Sequence, residues 1–235
     1  MITLSLTCIT TIDHENAVRA INTTAETLYS AGVPLNLTYW FSDKPIPSPT
    51  ICPVMWHQVP TFEKHNWMTL YNVHALVNCP IVVQTDYNLI VQSDGFAINP
   101  DAWTDEFLDY DYIGAVWPWY RTKYRVGNGG FSLRSKKLYE ALREIKYDRV
   151  MKYSDFKGHA SYEEDAINIP DLDDKIIPED ALICRYLRDA LETSFDIKFC
   201  PEDLASRFSI EDSTHSTWIG KSFGFHGKRY IRSAL

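Results

Sequence analysis

Apolar and polar residues alternate along the chain in short blocks, and the blocks change period in a regular order. Ile2 to Thr10 mixes β-branched and apolar residues and predicts a first, buried strand. Asp13 stands where a helix cap belongs. Ala17, Ile21, Thr24 and Leu28 then fall on one helical face, and Gly32-Val33-Pro34 stops the helix. Leu35 to Phe41 predicts a second strand. The prolines at 45, 47, 49 and 53 force a loop, and Met55 to Val59 predicts a short strand after it. Between Lys64 and Leu76, the residues Trp67, Leu70, Tyr71 and His74 recur at helical spacing. Tyr87 to Gln92 is a compact apolar run halted by Ser93-Asp94-Gly95, the pattern of a central strand.

The second half is less regular. Trp103 to Leu108 predicts a short helix, Tyr112 to Val116 and Gly130 to Leu133 short strands, and Leu138, Leu142 and Ile145 a helix. Residues 146–177 carry Asp and Lys throughout with few apolar anchors, and predict a long surface excursion. Pro178 suits a helix's first turn, and Ile183, Leu187 and Leu191 supply the inner stripe of that helix. Ile197-Lys198-Phe199 predicts a late strand, and the tail from Phe223 to Leu235 a Gly-Phe-His-Gly turn followed by basic residues. Strands alternating with helices imply an α/β fold with a mostly parallel central sheet flanked by helices. With 235 residues, 45% of them hydrophobic, the chain is expected to form a single domain over 1–235.

A net charge of −8 argues against a surface coated for nucleic acid. A local basic strip survives that argument: Arg121, Lys123, Arg125 and Arg134 gather near the glycines, with Tyr120 and Tyr124 interleaved. An ordinary solvated surface is the equal alternative. The five cysteines are scattered, odd in number and without a CxxC pair, so reduced thiols in a cytoplasmic protein are expected. The start, MITLSLTCITTIDHE, lacks the basic region of a signal peptide, and no apolar stretch is long enough to span a membrane.

Four short stretches carry candidate chemistry. VQSDG, Val91 to Gly95, ends a strand in a carboxylate, where open α/β sheets bind ligands and where Asp94 would hold a divalent cation; the plain alternative is an Asp-Gly turn. Pro178-Glu179-Asp180 puts two acids at a helix start, either as caps favouring the dipole or as a general base facing a cleft. Glu163-Glu164-Asp165 competes for that role but reads as solvated charge. In FGFHG, His226 between aromatics and glycine is a metal-ligand candidate, although a lone histidine is more often structural; His57 and His65 show no partner and are taken as structural. VGNGGFSLRS, Val126 to Ser135, sets three glycines before a strand, so a backbone there must turn sharply or approach something closely.

Taken in order, these stretches resemble glycosyltransferases with the GT-A fold: a DxD-type metal motif, a glycine loop, an xED motif and a late metal-binding histidine. VQSDGFAINPDAWTDEFLDYDYIGAVW and VGNGGFSLRS, with CITTID and FHG near the ends, are similar over most of the chain to a bacterial and phage family of glycosyltransferase-like proteins, long catalogued as a domain of unknown function. The resemblance implies a nucleotide-sugar donor, with Thr10, Thr11, Asp13, Gln92, Ser93, Asp94, Gly95 and Lys228 around it and Arg229 adding charge. It implies Mn²⁺ or Mg²⁺ on Asp94 and His226, and a tail, 220–235, closing the donor site. Asp180 would be the base of an inverting transfer, with Glu179 as runner-up. Asn128, Gly129, Gly130, Trp117 and Asp111 would face sugar or acceptor, and Trp119 is a further stacking candidate, with packing under the sheet the equal alternative for both tryptophans. The acceptor would be a glycan, a protein or a hydroxymethylated DNA base. One departure stands out: Gln92-Ser93-Asp94 has a single acid where many GT-A enzymes have two. That departure favours the alternative reading, a non-catalytic nucleotide- or sugar-binding module on a decayed GT-A fold. A nucleotidyltransferase would need a glycine-rich phosphate loop after the first strand, and CITTIDHEN has no glycine.

Overall fold

The structure is a computed structural model and describes residues 2–121, 124–145, 151–211 and 221–228. Strand β1 (Leu4–Ile9) is buried along its whole length. Its alternation sorts two faces. Leu4, Leu6 and Cys8 join one apolar cluster. Ser5 and Thr7 point the other way and donate to Asn88 Oδ1 over 3.0 and 2.9 Å, while the Asn88 amide donates to the Tyr139 hydroxyl at 2.7 Å. These buried polar groups satisfy one another, so a polar seam is tolerated beneath the sheet.

Helix α1 (His14–Ser30) follows, burying Ala17, Val18, Ala20, Ile21, Ala25 and Leu28 on one side. Asp13 occupies the cap position in a left-handed conformation, but its side chain caps no backbone amide and instead accepts from Asn16 Nδ2 at 2.5 Å. Strands β2 (Thr38–Ser42) and β3 (Val54–Gln58) come next, on either side of the proline-rich loop. Helix α2 (Trp67–Val73) passes through a π-helical turn, His74–Asn78, into the short α3 (Cys79–Val82). Strand β4 (Tyr87–Ile90) then returns to the far side of β1, where Leu6 pairs with Leu89.

The six-stranded sheet has the order β3-β2-β1-β4-β9-β6, counting β5 (Gly95–Ala97), β6 (Tyr112–Ile113), β7 (Ala115–Val116), β8 (Val126–Gly127) and β9 (Ser132–Ser135) in chain order. The first four strands are mutually parallel, and β9 runs antiparallel to β4 and to β6. Two consequences place the site. The strand order reverses between β1 and β4, so a crevice opens outside their carboxyl ends. Because β9 is antiparallel, its start lies beside the end of β4, with Ser132 opposite Ile90, and the glycine loop arrives at that same edge.

Helices α4 (Lys136–Glu144), α5 (Ala160–Asn168), α6 (Glu179–Ala181), α7 (Arg188–Phe195) and α8 (Glu202–Phe208) complete the helical shell, and a second π-helical turn, Leu182–Tyr186, follows α6 directly. A three-stranded sheet, β10 (Ser209–Glu211), β11 (Gly224–His226) and β5, ties the late chain to the segment after β4. Its register sets His226 opposite Gly95 and beside Glu211.

Several expected elements differ. The Gly-Phe-His-Gly stretch forms strand β11 rather than a turn, since it finds β5 and β10 as partners. Ile197–Phe199 makes only a single bridge, Tyr112 to Phe199. Trp103 to Leu108 yields a 3₁₀ turn over Asp105–Asp109. The described part of the polar excursion, 151–177, is anchored: Tyr153, Leu172 and Ile177 are buried, and Asp165, expected in solvent, is buried with it. Arg185 explains the anchoring. Its guanidinium is fully buried, pairs with Asp165 at 3.2 Å and Glu164 at 3.1 Å, and lies 3.5 Å over the Tyr120 ring.

Candidate active site

A cleft of about 570 Å³ opens at the reversal point, lined by the Ile9–Asp13 turn after β1, by Phe62, Trp67 and Tyr71 from the α2 region, and by Gln92, Ser93, Asp94 and Lys228. Trp67 and Tyr71 are four residues apart on a helix, and that spacing brings both to the cleft wall. Gln92 Nε2 donates to the Tyr71 hydroxyl at 2.8 Å, joining the helix to the end of β4. Gln92 and Gly95 exchange backbone hydrogen bonds of 2.9 and 3.0 Å, so Ser93 and Asp94 are the tip of a tight hairpin. The Asp94 carbonyl accepts from the Gly227 amide at 2.7 Å, which pins the tip to the end of β11.

His226 stands beyond that tip. Its Nε2 lies 3.7 Å from Asp94 Oδ1, and its Nδ1 lies 3.3 Å from Glu211 Oε1 and 3.0 Å from Asn128 Nδ2. Burial disfavours the charged imidazole, but Glu211, then Asp94 and Asp180, outweigh burial and raise its pKa above the ordinary histidine value. The glycines fit around this group. A Cβ on Gly130 would sit 2.2 Å from His226 Nε2, and one on Gly95 would sit 2.8 Å from the Gly130 carbonyl oxygen.

The acids of α6 have separated roles. Glu179 is buried and pairs with the fully buried Arg134 at 2.9 Å. Asp180 keeps an exposed edge, accepts from the Gly129 amide at 2.9 Å through Oδ2, and accepts from the Ala181 amide at 2.7 Å through Oδ1. Its pKa is pushed up to about 6, first by desolvation and then by the nearby Glu179 and Glu211 charges, against the two amide bonds that lower it. A carboxyl titrating there is matched to proton transfer near neutral pH.

The structure therefore brings Asp94, Gly95, Asn128, Gly129, Gly130, Glu179, Asp180 and His226 together, with Thr10, Thr11, Asp13, Gln92, Ser93 and Lys228 along the adjoining cleft. It does not bring Asp111 there. Asp111 precedes β6, at the end of β9 away from Ser132, where it accepts from Ser135 Oγ at 2.5 Å and the Lys198 amide at 2.9 Å. Trp117 is buried, and its ring fills the place of a Gly127 side chain: a Cβ there would come within 2.0 Å. Trp119 is exposed at the surface. The side chain of Asn128 is fully buried, at φ 78°, and its Oδ1 accepts from the Gly130 and Phe131 amides at 2.7 and 3.2 Å. Its oxygen is thus spent on shaping the loop, and its NH₂ faces His226 Nδ1. The glycines answer to protein groups: a Cβ on Gly129 would stand 1.9 Å from Glu179 Oε1.

The basic strip does not form a continuous face among the described residues, since Tyr124 is buried, Arg125 pairs with Glu202 at 3.0 Å and Arg134 lies in the core. Lys123 and Arg229 lie outside the described residues. His57 stacks on Phe41 at 4.7 Å, away from the site. Sequence reasoning missed Glu211 and the role of Arg134. Nothing local marks Glu211, whose importance comes from strand register alone. Among the described residues, no group of three or more His, Cys, Asp and Glu side chains gathers for a metal, and no helix is long and apolar enough to cross a membrane.

A family model described as protein of unknown function (DUF5672) matches residues 81–226, the span from α3 through β4 and the glycine loop to His226. No curated protein matches the chain. Among solved structures, a glycosyltransferase involved in the glycosylation of the major capsid of PBCV-1 aligns over 99% of this chain and 97% of that chain, with 12% identity and a TM-score of 0.55. At that identity the likeness is one of fold: an α/β fold with a mostly parallel central sheet, similar to GT-A glycosyltransferases. Two structures of Drosophila beta1,4-galactosyltransferase 7 align over 60% of this chain and 51% of that chain, with 16% identity and a TM-score of 0.39. One is a mutant in complex with manganese, UDP-Gal and xylobiose, the other a complex of the catalytic domain with xylobiose.

Proposed function

The chain belongs to the family described as protein of unknown function (DUF5672), and from that premise we propose that it is a glycosyltransferase moving a sugar from a nucleotide-sugar donor to an acceptor hydroxyl with inversion. The observation that carries this reading is the placement of Asp180. Its carboxyl, titrating at about 6, is held by the Gly129 amide in the same cluster as the Asp94–His226 pair, beside a cleft at the reversal point of the sheet.

In this reading the nucleotide lies along the Thr10–Asp13 turn, with Trp67 and Tyr71 as apolar walls. Asp94 and His226 fit a divalent cation. They offer one oxygen and one nitrogen donor 3.7 Å apart, and a cation that prefers substrate phosphates and water for its remaining positions needs no further acid. Such an ion, Mn²⁺ or Mg²⁺, supplies positive charge to the departing diphosphate. Lys228, exposed at the cleft, adds to that charge. Asp180 takes the proton of the acceptor hydroxyl as its oxygen bonds to the anomeric carbon, and the bond from that carbon to the diphosphate oxygen breaks. Glu179, locked on Arg134, is a structural acid in this scheme, and its charge helps hold the Asp180 pKa up.

The test is turnover. The purified chain is incubated with Mn²⁺ and a panel of nucleotide sugars, with and without candidate acceptors (oligosaccharides, proteins and hydroxymethylated DNA), and nucleoside diphosphate release is measured. Release with one donor, abolished by Asp180→Asn while donor binding persists, supports the reading. Binding without release under any pairing moves the weight to a non-catalytic nucleotide- or sugar-binding module.

A further inference from the structure

We propose that Glu211 is a positioning residue that selects the tautomer of His226, keeping the ring proton on Nδ1 so that Nε2 presents a lone pair beside Asp94. The use of that lone pair by a cation rests on the reading above; the tautomer itself does not.

The parallel register of β10 and β11 pairs Glu211 with His226, which sends both side chains to one face. There the histidine Nδ1 meets two groups that make opposite demands. Glu211 Oε1, at 3.3 Å, can only accept. Asn128 Nδ2, at 3.0 Å, can only donate. The asparagine cannot resolve the conflict by turning over. Its Oδ1 accepts from the Gly130 and Phe131 amides, and an inverted side chain would set its NH₂ against two N–H donors. Nδ1 therefore either donates to Glu211, leaving Nε2 as a lone pair, or accepts from Asn128, placing the proton on Nε2.

The carboxylate wins this competition. A hydrogen bond to an ionised acceptor is about twice as strong as a neutral one. Glu211 also has more to lose, because its other oxygen, Oε2, is buried with no hydrogen-bond partner among the described residues. A flipped ring would fill the same space but set Cδ2 against Glu211 and Asn128, forfeiting both polar contacts. A carboxylate behind a metal-facing imidazole both fixes its tautomer and raises its basicity as a ligand.

The experiment is a long-range ¹H–¹⁵N correlation spectrum of the ¹⁵N-labelled full chain in metal-free buffer. It is recorded above the titration of His226, whose signals are identified by their loss in His226→Gln. Wild type is expected to show the Nδ1–H pattern. Glu211→Gln, which keeps the oxygen but loses the charge that decides the competition, is expected to show a mixture of the two patterns, and Glu211→Met to convert it to Nε2–H. Mn²⁺ binding, followed by water-proton relaxation, is expected to weaken about 10- to 100-fold in Glu211→Met and by less in Glu211→Gln. An Nε2–H pattern in wild type, or an unchanged Nδ1–H pattern in folded Glu211→Met, overturns the proposal; if Glu211→Met does not fold, the wild-type spectrum decides alone. A wild-type chain with the Nδ1–H pattern and no Mn²⁺ binding supports the tautomer assignment and counts against the metal reading of the site.

Discussion

The Gly129 amide donates to Asp180 Oδ2 over 2.9 Å, and the space a side chain would take at Gly129 is already filled by Glu179 Oε1, 1.9 Å from the Cβ position. Gly129 thereby serves two acids with different duties. Gly129→Ala is predicted to push Glu179 off Arg134 and to misplace Asp180 together. Breaking a buried ion pair from one side costs on the order of 3–5 kcal/mol, so a large fall in the urea midpoint should accompany loss of turnover. Gly130→Ala meets the His226 ring instead, at 2.2 Å from Nε2, and is predicted to lose the cation response with a smaller loss of stability. Equal stability losses in the two variants would contradict this division.

The Arg134–Glu179 and Arg125–Glu202 pairs have nearly the same length, 2.9 and 3.0 Å, but opposite surroundings. Arg134 is fully buried and Glu179 nearly so, whereas Arg125 and Glu202 keep 32% and 46% of their side chains in solvent. Arg125→Ala is predicted to change stability by less than about 1 kcal/mol. Arg134→Met, which strands the Glu179 charge, should destabilise by several times as much, on the order of 3–5 kcal/mol. Adding Glu179→Gln to Arg134→Met should recover part of the loss, because the stranded charge is then gone. Urea denaturation of the four chains reads this directly, and a double variant worse than Arg134→Met would contradict the argument.

Little of this pairing was legible along the chain. The parallel core strands announced themselves through apolar runs, and the hairpin at Asp94, the PED start and the FHG segment stood out as local anomalies. Their juxtaposition follows from one strand-order reversal and one antiparallel strand, which motif order alone does not show. In the sequence Arg134 resembles the other basic residues of a surface strip, although an acid 45 positions on pulls it into the core. Asp111 and Trp117 share a block with cleft residues in sequence, but β6 starts at the opposite end of the strands, which leaves Asp111 away from the cleft. Asp165 looked solvated because the residue that buries it, Arg185, belongs to a different element. Each miss is a partner chosen by tertiary contact rather than by spacing.

Asp180 gives the site a pH signature. Its folded-state pKa, about 6, lies above the ordinary 3.8, so the folded chain binds this proton more tightly than the unfolded chain does. Its contribution to stability is therefore fully present below about pH 4 and is lost as pH rises through 6. Two units correspond to roughly 3 kcal/mol. The stability of Asp180→Asn relative to wild type should accordingly rise by an amount of that order between pH 4 and pH 7. This change with pH is the test, since the asparagine also forfeits one of the two amide bonds at every pH. Turnover should climb over the same window, as the base must be ionised to accept a proton. A relative stability that stays flat from pH 4 to 7 would show that the Asp180 carboxyl is not perturbed.

The Asp94–His226 pair predicts how donor and cation depend on each other. Two protein donors make a weak site, so the cation should bind firmly only when a diphosphate completes its shell. Nucleotide sugar alone and Mn²⁺ alone are each predicted to raise the melting temperature slightly, and the two together by much more. Saturation at 100 times the dissociation constant corresponds to about 2.7 kcal/mol of stabilisation. EDTA should abolish the joint effect. Asp94→Ala and His226→Ala should abolish it as well while leaving the small shift with nucleotide sugar alone, because the Thr10–Asp13 turn and the Trp67–Tyr71 wall remain. A thermal-shift matrix of the three chains against donor, Mn²⁺ and EDTA measures all of these terms. A joint effect that survives in both variants would place the cation elsewhere, and additive shifts in wild type would remove the diphosphate from its shell.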